Sequence, residues 1–211
     1  MATEINAFYD ESSQWKPTEE GDYPAHISGL TTKEMMTKAG EAVIVNMTYK
    51  IADEAADLKQ LVYEMDGYKY KLDQEGNRIP IKDNNGEQIT TDCSHLVGEV
   101  KYDSGWFIFT SSESGSKNAR YFRLLESLGI KVEEQRLGDK KVKKLVLLEQ
   151  SDVVGKPVII DLQREEYVTS DTKHLPPEQQ DRRSVLKVKN VQIWSDGVEI
   201  TEDEVDGDVP F

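Results

Sequence analysis

The feature that most constrains the fold is a ten-residue segment, 42–51, in which side-chain polarity alternates. Its odd-numbered positions are all apolar, whereas most of its even-numbered positions are small or polar. Successive side chains of a β-strand point to opposite faces, so this period of two is typical of a strand with one face in the core. We therefore predict a mainly β protein in which 42–51 is the clearest strand.

Weaker patterns of the same kind surround that strand. Four further segments are predicted as strands: 23–28, 105–110, 155–162 and 184–194. One helix is predicted over 117–128, because apolar residues recur there at a spacing of about three, with Ser116 as its N-cap and Gly129 ending it. Residues 31–40 are predicted to form a polar connection, and 53–62 a short helix or a loop. No internal repeat is apparent.

The order of these elements, three strands, a helix and two strands, is the order expected of a five-stranded OB barrel. Two turn signals within 63–91 flank short strand-like pieces, which predicts a projecting β-hairpin inserted into the barrel. The alternative is another small β-barrel or sandwich with one helix. The predicted organisation is an N-terminal arm at 1–22, an OB-fold domain at 23–195 with its insertion at 63–91, and a disordered acidic tail at 196–211.

Composition excludes several classes of site. The chain has one cysteine, Cys93, so it cannot form an intrachain disulfide, and three scattered histidines do not complete a ligand set with it. We predict neither a metal nor a cofactor. No signal peptide is predicted, because the first residues lack a basic segment followed by an apolar one, and no apolar run is long enough to cross a bilayer. These features predict a soluble protein of a reducing cytoplasm, without a membrane partner.

Charge argues at first against nucleic acid, because the chain carries 40 acidic and 26 basic residues and a net charge of −14. A DNA-binding domain is usually basic. The acids are concentrated at the ends, however, since residues 196–211 contain seven acids and no base. Residues 100–195 carry 17 bases and 14 acids. Runs of like charge are typical of solvated tails that act by interaction, so the net charge describes the tail more than the folded body.

The acidic tail ends on an apolar residue, Phe211, which a purely solvated segment does not require. A terminal ring beside acids suits an anchor that enters an apolar pocket with a basic rim. The last six residues, Asp-Gly-Asp-Val-Pro-Phe, resemble the tip of bacterial single-stranded-DNA-binding protein (SSB), whose acidic tail ends in Asp-Ile-Pro-Phe and recruits replication and repair partners. The resemblance implies that a polymerase, a helicase or primase, or a recombinase binds the tail. The residues concerned are Asp203, Glu204, Asp206, Asp208, Val209, Pro210 and Phe211.

A looser resemblance covers the body of the chain. A Gly-x-Tyr-x-Ala strand starts at Gly21, a Thr-Lys-Ala-Gly turn at Thr37, and a Gly-Lys-Pro-Val strand at Gly155. These segments are similar to small OB-fold proteins that bind single-stranded DNA (ssDNA) in tailed-phage replication modules. The resemblance implies sequence-independent ssDNA binding and protection in phage replication, recombination or repair, in the host cytoplasm. The body differs from that of bacterial SSB, so its tetramer does not carry over, and a homo-oligomer is left open.

Sequence-independent binding of ssDNA needs aromatic faces for the bases and cations for the phosphates. Strand alternation would place Trp106 and Phe107 on opposite faces, one for the core and one for a stacking platform. The stacking candidates are Tyr68, Tyr70, Trp106, Phe107 and Phe109. The phosphate candidates are Lys69, Lys71, Arg120, Arg123, Lys143, Lys144, Lys187 and Lys189. The alternatives are ordinary hairpin packing for the tyrosines and solvated surface positions for the cations.

Three other functions are kept as alternatives. An enzyme is disfavoured, with no catalytic residue predicted, because the chain lacks a P-loop, a dinucleotide-binding, a zinc-protease and a Gly-x-Ser-x-Gly motif. An acidic DNA-mimic inhibitor would explain the net charge, but it predicts acids spread over a folded surface rather than gathered at the ends. A non-enzymatic phage structural or adaptor protein is the third.

Overall fold

The structure is a computed structural model that describes residues 18–66, 69–110 and 117–201. The mainly β composition predicted from the sequence is confirmed, and the sheets are antiparallel. The strands are β1 (Gly21–Thr37), β2 (Gly40–Ile51), β3 (Lys59–Leu61), β4 (Met65–Asp66), β5 (Lys69–Tyr70), β6 (Thr90–Asp92), β7 (Val100–Tyr102), β8 (Trp106–Phe109), β9 (Glu134–Leu137), β10 (Lys140–Lys143), β11 (Pro157–Val168) and β12 (Arg182–Ile193). The α-helices are α1 (Ala119–Ser127) and α2 (Gln150–Val153), and 3₁₀-helices cover Asp53–Asp57, Ser94–Leu96 and Pro177–Gln179. None of the helices in these residues is long and apolar enough to span a membrane.

The main sheet has six strands, in the order β12–β11–β1–β2–β7, with β8 paired to the other half of β2. The predicted polar connection at 31–40 is wrong, because β1 continues to Thr37 against β2 and only Lys38 and Ala39 form the turn. Residues 31–36 are exposed, so this part of the strand carries no apolar face that alternation could reveal. The hairpin of β9 and β10 was not predicted either.

The third long segment of the sheet is broken in two. β7 pairs with Thr48–Lys50, whereas β8 pairs with Ala42–Val45, and the break lies at residues 103–105. At the break, Asp103 forms a parallel bridge to Val188 of β12. The sheet therefore curls until its two outer strands, β7 and β12, meet at one point.

Asp103 is buried at this break and accepts four hydrogen bonds. Its Oδ2 accepts from the indole Nε1 of Trp106 at 2.7 Å, and from Met47 N and the Tyr49 hydroxyl at 3.2 and 3.3 Å. Its Oδ1 accepts from Gly105 N at 2.9 Å. Burial raises the pKa of Asp103 above its ordinary value, although these hydrogen bonds act in the opposite direction. The carboxylate thus replaces the strand pairing that the break removes.

The core lies on one face of the main sheet and is covered by α1. The predicted inward face of 42–51 is confirmed, since Val45, Met47, Tyr49 and Ile51 are buried. Burying a large apolar side chain contributes about 1.5–3 kcal/mol to the free energy of unfolding, so these positions fix the register of β2. The helix and its C-cap, Leu128, add the buried side chains of Tyr121, Leu124, Leu125 and Leu128.

The start of α1 is tied to the end of β8 by Asn118. Ser116, the predicted N-cap, lies outside the described residues. Asn118 is buried, and its Oδ1 accepts from Phe109 N at 2.8 Å while its Nδ2 donates to Phe109 O at 3.0 Å. The side-chain amide of Asn118 therefore forms with Phe109 the two backbone hydrogen bonds that a neighbouring strand would otherwise form.

The insertion at 63–91 is a repeat of two ten-residue units, 71–80 and 81–90, which the sequence analysis did not detect. Each unit turns at an Asp-x-x-Gly sequence. The carboxylate of Asp73 or Asp83 accepts hydrogen bonds from the backbone N–H groups two and four residues later, at 2.8–2.9 Å. The units share few residue identities, so the repeat is recognised by its geometry.

Two closed rings of main-chain hydrogen bonds each join the two ends of one unit to the segment 62–64. In each ring three residues donate in turn to one another, at 2.8–3.1 Å. The first ring joins Val62, Ile89 and Ile81, and the second joins Glu64, Ile79 and Lys71. These backbone groups are therefore satisfied within the insertion, without the main sheet.

The insertion is also fixed to the start of β1. The guanidinium of Arg78 pairs with the carboxylates of Glu19 at 2.5 Å and Glu20 at 2.8 Å. The Tyr70 hydroxyl donates to Glu19 at 2.5 Å. The Glu19 side chain is only 9% exposed, so its oxygens rely on these two partners rather than on water for hydrogen bonds.

Candidate nucleic-acid interface

The outer face of the main sheet is the side opposite the core. Directly opposed residues of antiparallel strands lie on the same face, so the register defines rows across β1, β2 and β8. We call two neighbouring rows the outer patch. They are Met35–Ala42–Phe109 and Lys33–Ile44–Phe107.

Phe107 and Phe109 form the aromatic part of the outer patch. Their ring centroids are 6.4 Å apart and their planes are inclined by 20°. Phe107 is 36% exposed, and the Nζ of Lys117 lies 5.5 Å from the centroid of the Phe109 ring. Lys33 is exposed on β1, in the same row as Phe107 and separated from it by Ile44 of β2. Aromatic faces bordered by cations are the combination that ssDNA binding requires.

The backbone at Gly105 permits this orientation of the rings. Its φ of +82° lies in the left-handed region that favours glycine. A Cβ at this position would lie 2.4 Å from Ile44 Cδ1, so a side chain would displace a residue of the outer patch. With glycine here, the chain restarts as β8 with Trp106 in the core and Phe107 outside.

Trp106 is a core residue in this structure, in contrast to its prediction as a stacking candidate. Its side chain is 4% exposed and its indole N–H is bonded to Asp103. The guanidinium carbon of Arg120 lies 4.6 Å from its ring centroid. The sequence left open which face of this strand is the platform, and the geometry places Phe107 and Phe109 on the open one.

Tyr70 is engaged within the protein. Its hydroxyl donates to Glu19, and the guanidinium carbons of Arg78 and Arg164 lie 4.4 and 5.5 Å from its ring centroid. Burial and the Glu19 carboxylate raise the pKa of Tyr70 well above its ordinary value. These contacts favour the packing alternative for this hairpin over a stacking role.

The other three candidates of that hairpin, Tyr68, Lys69 and Lys71, give little support for a role in ssDNA binding. Tyr68 and the side chain of Lys69 lie outside what the structure describes. Lys71 forms an exposed ion pair with Glu64 at 3.1 Å.

The basic cluster at 140–144 is matched by glutamates. Lys143 pairs with Glu126, and this hydrogen bond raises the pKa of Lys143. Lys144 pairs with Glu133 at 3.1 Å. Exposed pairs of this kind stabilise a protein little, so a phosphate could replace the carboxylate. Among the side chains of this cluster that the structure describes, Lys141, Lys143 and Lys144 each have a glutamate partner.

The two arginines of α1 differ in their surroundings. Arg120 lies over Trp106, and its Nη2 donates to the Lys189 carbonyl oxygen at 3.5 Å. Arg123 is exposed and forms no ion pair or side-chain hydrogen bond with the part of the chain that the structure describes. Arg123 is therefore the cation of this helix that can take a phosphate without losing a partner.

Lys187 and Lys189 lie on the outward side of β12, beside Glu165 of β11. The Nζ of Lys189 bonds to Glu165 Oε2 at 2.8 Å, and the Ser104 hydroxyl donates to the same oxygen at 3.2 Å. Lys189, with a smaller effect of Lys187, holds the pKa of Glu165 below its ordinary value. One of the two positive charges is thus already matched.

The tail residues Asp203, Glu204, Asp206, Asp208, Val209, Pro210 and Phe211 lie outside the described residues.

Four residues at or near the outer face were missed by the sequence analysis: Lys33, Met35, Tyr102 and Lys117. Tyr102 is 56% exposed and opposes Thr48 on the outer face. The sequence carries no signal for Lys33 and Met35, because residues 31–36 are all exposed and show no alternation of burial.

No protein-family model, curated protein or solved structure matches this chain significantly. Its function is therefore argued from the geometry of the outer patch.

Proposed function

We propose that this chain is an OB-fold protein that binds single-stranded DNA without reading its sequence. The element order supports the fold, with the broken strand of β7 and β8 counted as the third strand and α1 lying before β11. The sheet order places the fourth strand against the first, and the bridge of Asp103 to Val188 brings the third and fifth strands together in parallel. Both features are those of a five-stranded Greek-key barrel.

The outer patch is the observation that carries the function. OB folds bind oligonucleotides on the face of their second and third strands, which here are β2 and β8. Phe107 and Phe109 lie on that face, partly exposed, with Lys117 over Phe109 and Lys33 in the row of Phe107 across β2. Stacking is worth about 1–3 kcal/mol per base, and every base has a π-face, so such a platform binds any sequence.

Substitution of Phe107 tests the proposal. Phe107→Ala removes one exposed ring, so we expect about 5- to 150-fold weaker binding of fluorescein-labelled oligo(dT), measured by anisotropy at low salt. Leu72→Ala is the matched control, since Leu72 is 57% exposed on the insertion and should leave binding unchanged. Equal affinity of Phe107→Ala and the wild type would contradict the role of the outer patch. A wild type that binds no oligo(dT) would favour the acidic DNA mimic or the structural adaptor.

We further propose that the acidic tail recruits the partner proteins of a replication or recombination complex, as its resemblance to the SSB tip implies. The protein would coat exposed strands during replication, recombination or repair, in the host cytoplasm if it is phage-encoded. Phe211→Ala keeps every charge of the tail. We expect this variant to bind oligo(dT) like the wild type and to lose binding to a cognate polymerase, helicase, primase or recombinase in a pull-down.

A further inference from the structure

A groove runs beside the outer patch, between α1 and β10. Its volume is about 800 Å³. Most of its lining is apolar or aromatic, and Phe109 belongs both to the groove and to the outer patch. The residues that matter for its chemistry are Phe109, Phe122, Arg123, Lys143 and Leu145.

The groove repeats the chemistry of the outer patch. Phe122 is partly exposed and the Nζ of Lys143 lies 5.9 Å from its ring centroid, as Lys117 lies near Phe109. Arg123 projects from the next position of the helix, with no ion pair to the described residues. Besides the shared ring of Phe109, the groove therefore offers the ring of Phe122, the unpaired cation of Arg123, and a second cation, Lys143, that pairs with Glu126.

We propose that this groove is a second nucleotide subsite, which receives the strand where it leaves Phe109. The proposal rests on the proposed function, because the strand must arrive from the outer patch. Phe122 stacks on a base, and Arg123 contacts a phosphate. A cavity of this size lies within the range of about 300–1,000 Å³ that small-molecule ligands occupy, so it has room for a nucleotide. The shared ring of Phe109 makes the two surfaces continuous, which favours nucleic acid over an acidic peptide.

Oligonucleotide length separates the two surfaces. OB folds cover about 4–16 nucleotides, so oligo(dT) of about 4 nucleotides should be held by the outer patch alone, and oligo(dT) of about 16 should also reach the groove. For the longer oligonucleotide, we expect Arg123→Gln to bind about fivefold more weakly at low salt. Its slope of log K against log salt should be smaller by about 0.7, the value for one phosphate contact of a single strand. For the shorter oligonucleotide, neither quantity should change.

Two further variants complete the experiment. Arg136→Gln removes the same charge from an exposed position of β9 outside the groove, and it should behave like the wild type with both oligonucleotides. Phe122→Leu keeps an apolar side chain but removes the π-face, so we expect about tenfold weaker binding of the longer oligonucleotide only. A thermal unfolding curve like that of the wild type shows that the variant is folded.

The outcomes distinguish this proposal from the one on which it rests. In one outcome, Phe107→Ala binds both oligonucleotides more weakly, whereas Arg123→Gln and Phe122→Leu bind them with the affinity of the control Arg136→Gln. The groove is then no subsite, and the proposed function stands. If the wild type binds neither oligonucleotide, the proposed function itself fails. If a peptide of residues 202–211 binds the wild type but not Arg123→Gln, and ssDNA binding is equal, the groove belongs to a protein ligand and the proposal is overturned.

Discussion

Asp103 shows how one side chain positions the outer patch. Its carboxylate accepts from four donors at the strand break that turns Phe107 outward. In Asp103→Asn the amide nitrogen would face one of those donors, leaving a buried N–H without an acceptor. We expect the free energy of unfolding to fall by about 1–3 kcal/mol, measured by urea denaturation. Asp171→Asn, at an exposed loop position, is the control and should change stability little.

Asp103 also makes the free energy of unfolding depend on pH, with a sign opposite to that of most carboxylates. Burial raises the folded-state pKa of Asp103 above 3.8, so the folded protein binds this proton at pH values where the unfolded chain has lost it. Ionisation of Asp103 therefore costs stability above the folded pKa, and this cost disappears as the pH falls through it. Between neutral pH and about 4, the wild type should gain stability relative to Asp103→Asn. A difference that stays constant with pH would contradict this assignment.

The side chains within single strands were predictable from the sequence to the extent that burial imposed a pattern. The inward face of β2 followed from its alternation because those side chains fill the core. Asp103 and Asn118 were not predictable, because Asp103 also accepts from donors 54 and 56 residues away and Asn118 bonds to the backbone nine residues earlier. The same holds for the cations, since the glutamates that neutralise Lys143 and Lys189 lie on other elements.

Among the elements, the insertion departs furthest from its prediction. Turn signals located it, but each of its two units is closed onto the segment 62–64 by a ring of backbone hydrogen bonds, which leaves no side-chain pattern. The tyrosine and arginine side chains near its base bind Glu19 and pack on one another. The insertion is thus fixed to the start of β1 by the contacts of Tyr70 and Arg78 with Glu19. The alternation of the tyrosines in the sequence did not indicate these contacts.

The attachment of the insertion depends on Arg78. Arg78→Gln would leave the nearly buried Glu19 carboxylate without its cation, which costs about 1–3 kcal/mol. We expect the amides of Val62 and Ile81 to exchange with deuterium about 5- to 150-fold faster, while those of β2 keep their protection. Gln88→Ala is the matched control, because Gln88 holds the same place in the second unit and is exposed. Unchanged exchange in Arg78→Gln would show that the backbone rings alone position the insertion.

At the scale of the whole molecule, the order of the elements was predictable and the curvature of the sheet was not. The order followed from local polarity patterns, whereas the meeting of β7 with β12 depends on the strand break at residues 103–105 and on a buried carboxylate. The charge shows the same separation of scales. The net charge of −14 is a property of the whole chain, and the cations beside the aromatic rings are a property of one face.

Because the negative charge lies in the tail and the cations lie on one face, the tail should affect the proposed binding of ssDNA. Five acids of the tail, Glu202, Asp203, Glu204, Asp206 and Asp208, repel a polyanion over a distance set by salt. Replacing them with Gln and Asn should tighten oligo(dT) binding at low salt, and the difference should vanish near 1 M salt, where the screening length is about 3 Å. Phe211→Ala is the control, because it leaves these charges in place. Equal affinities of the neutralised and wild-type tails at low salt would mean that the tail charge does not act at the outer patch.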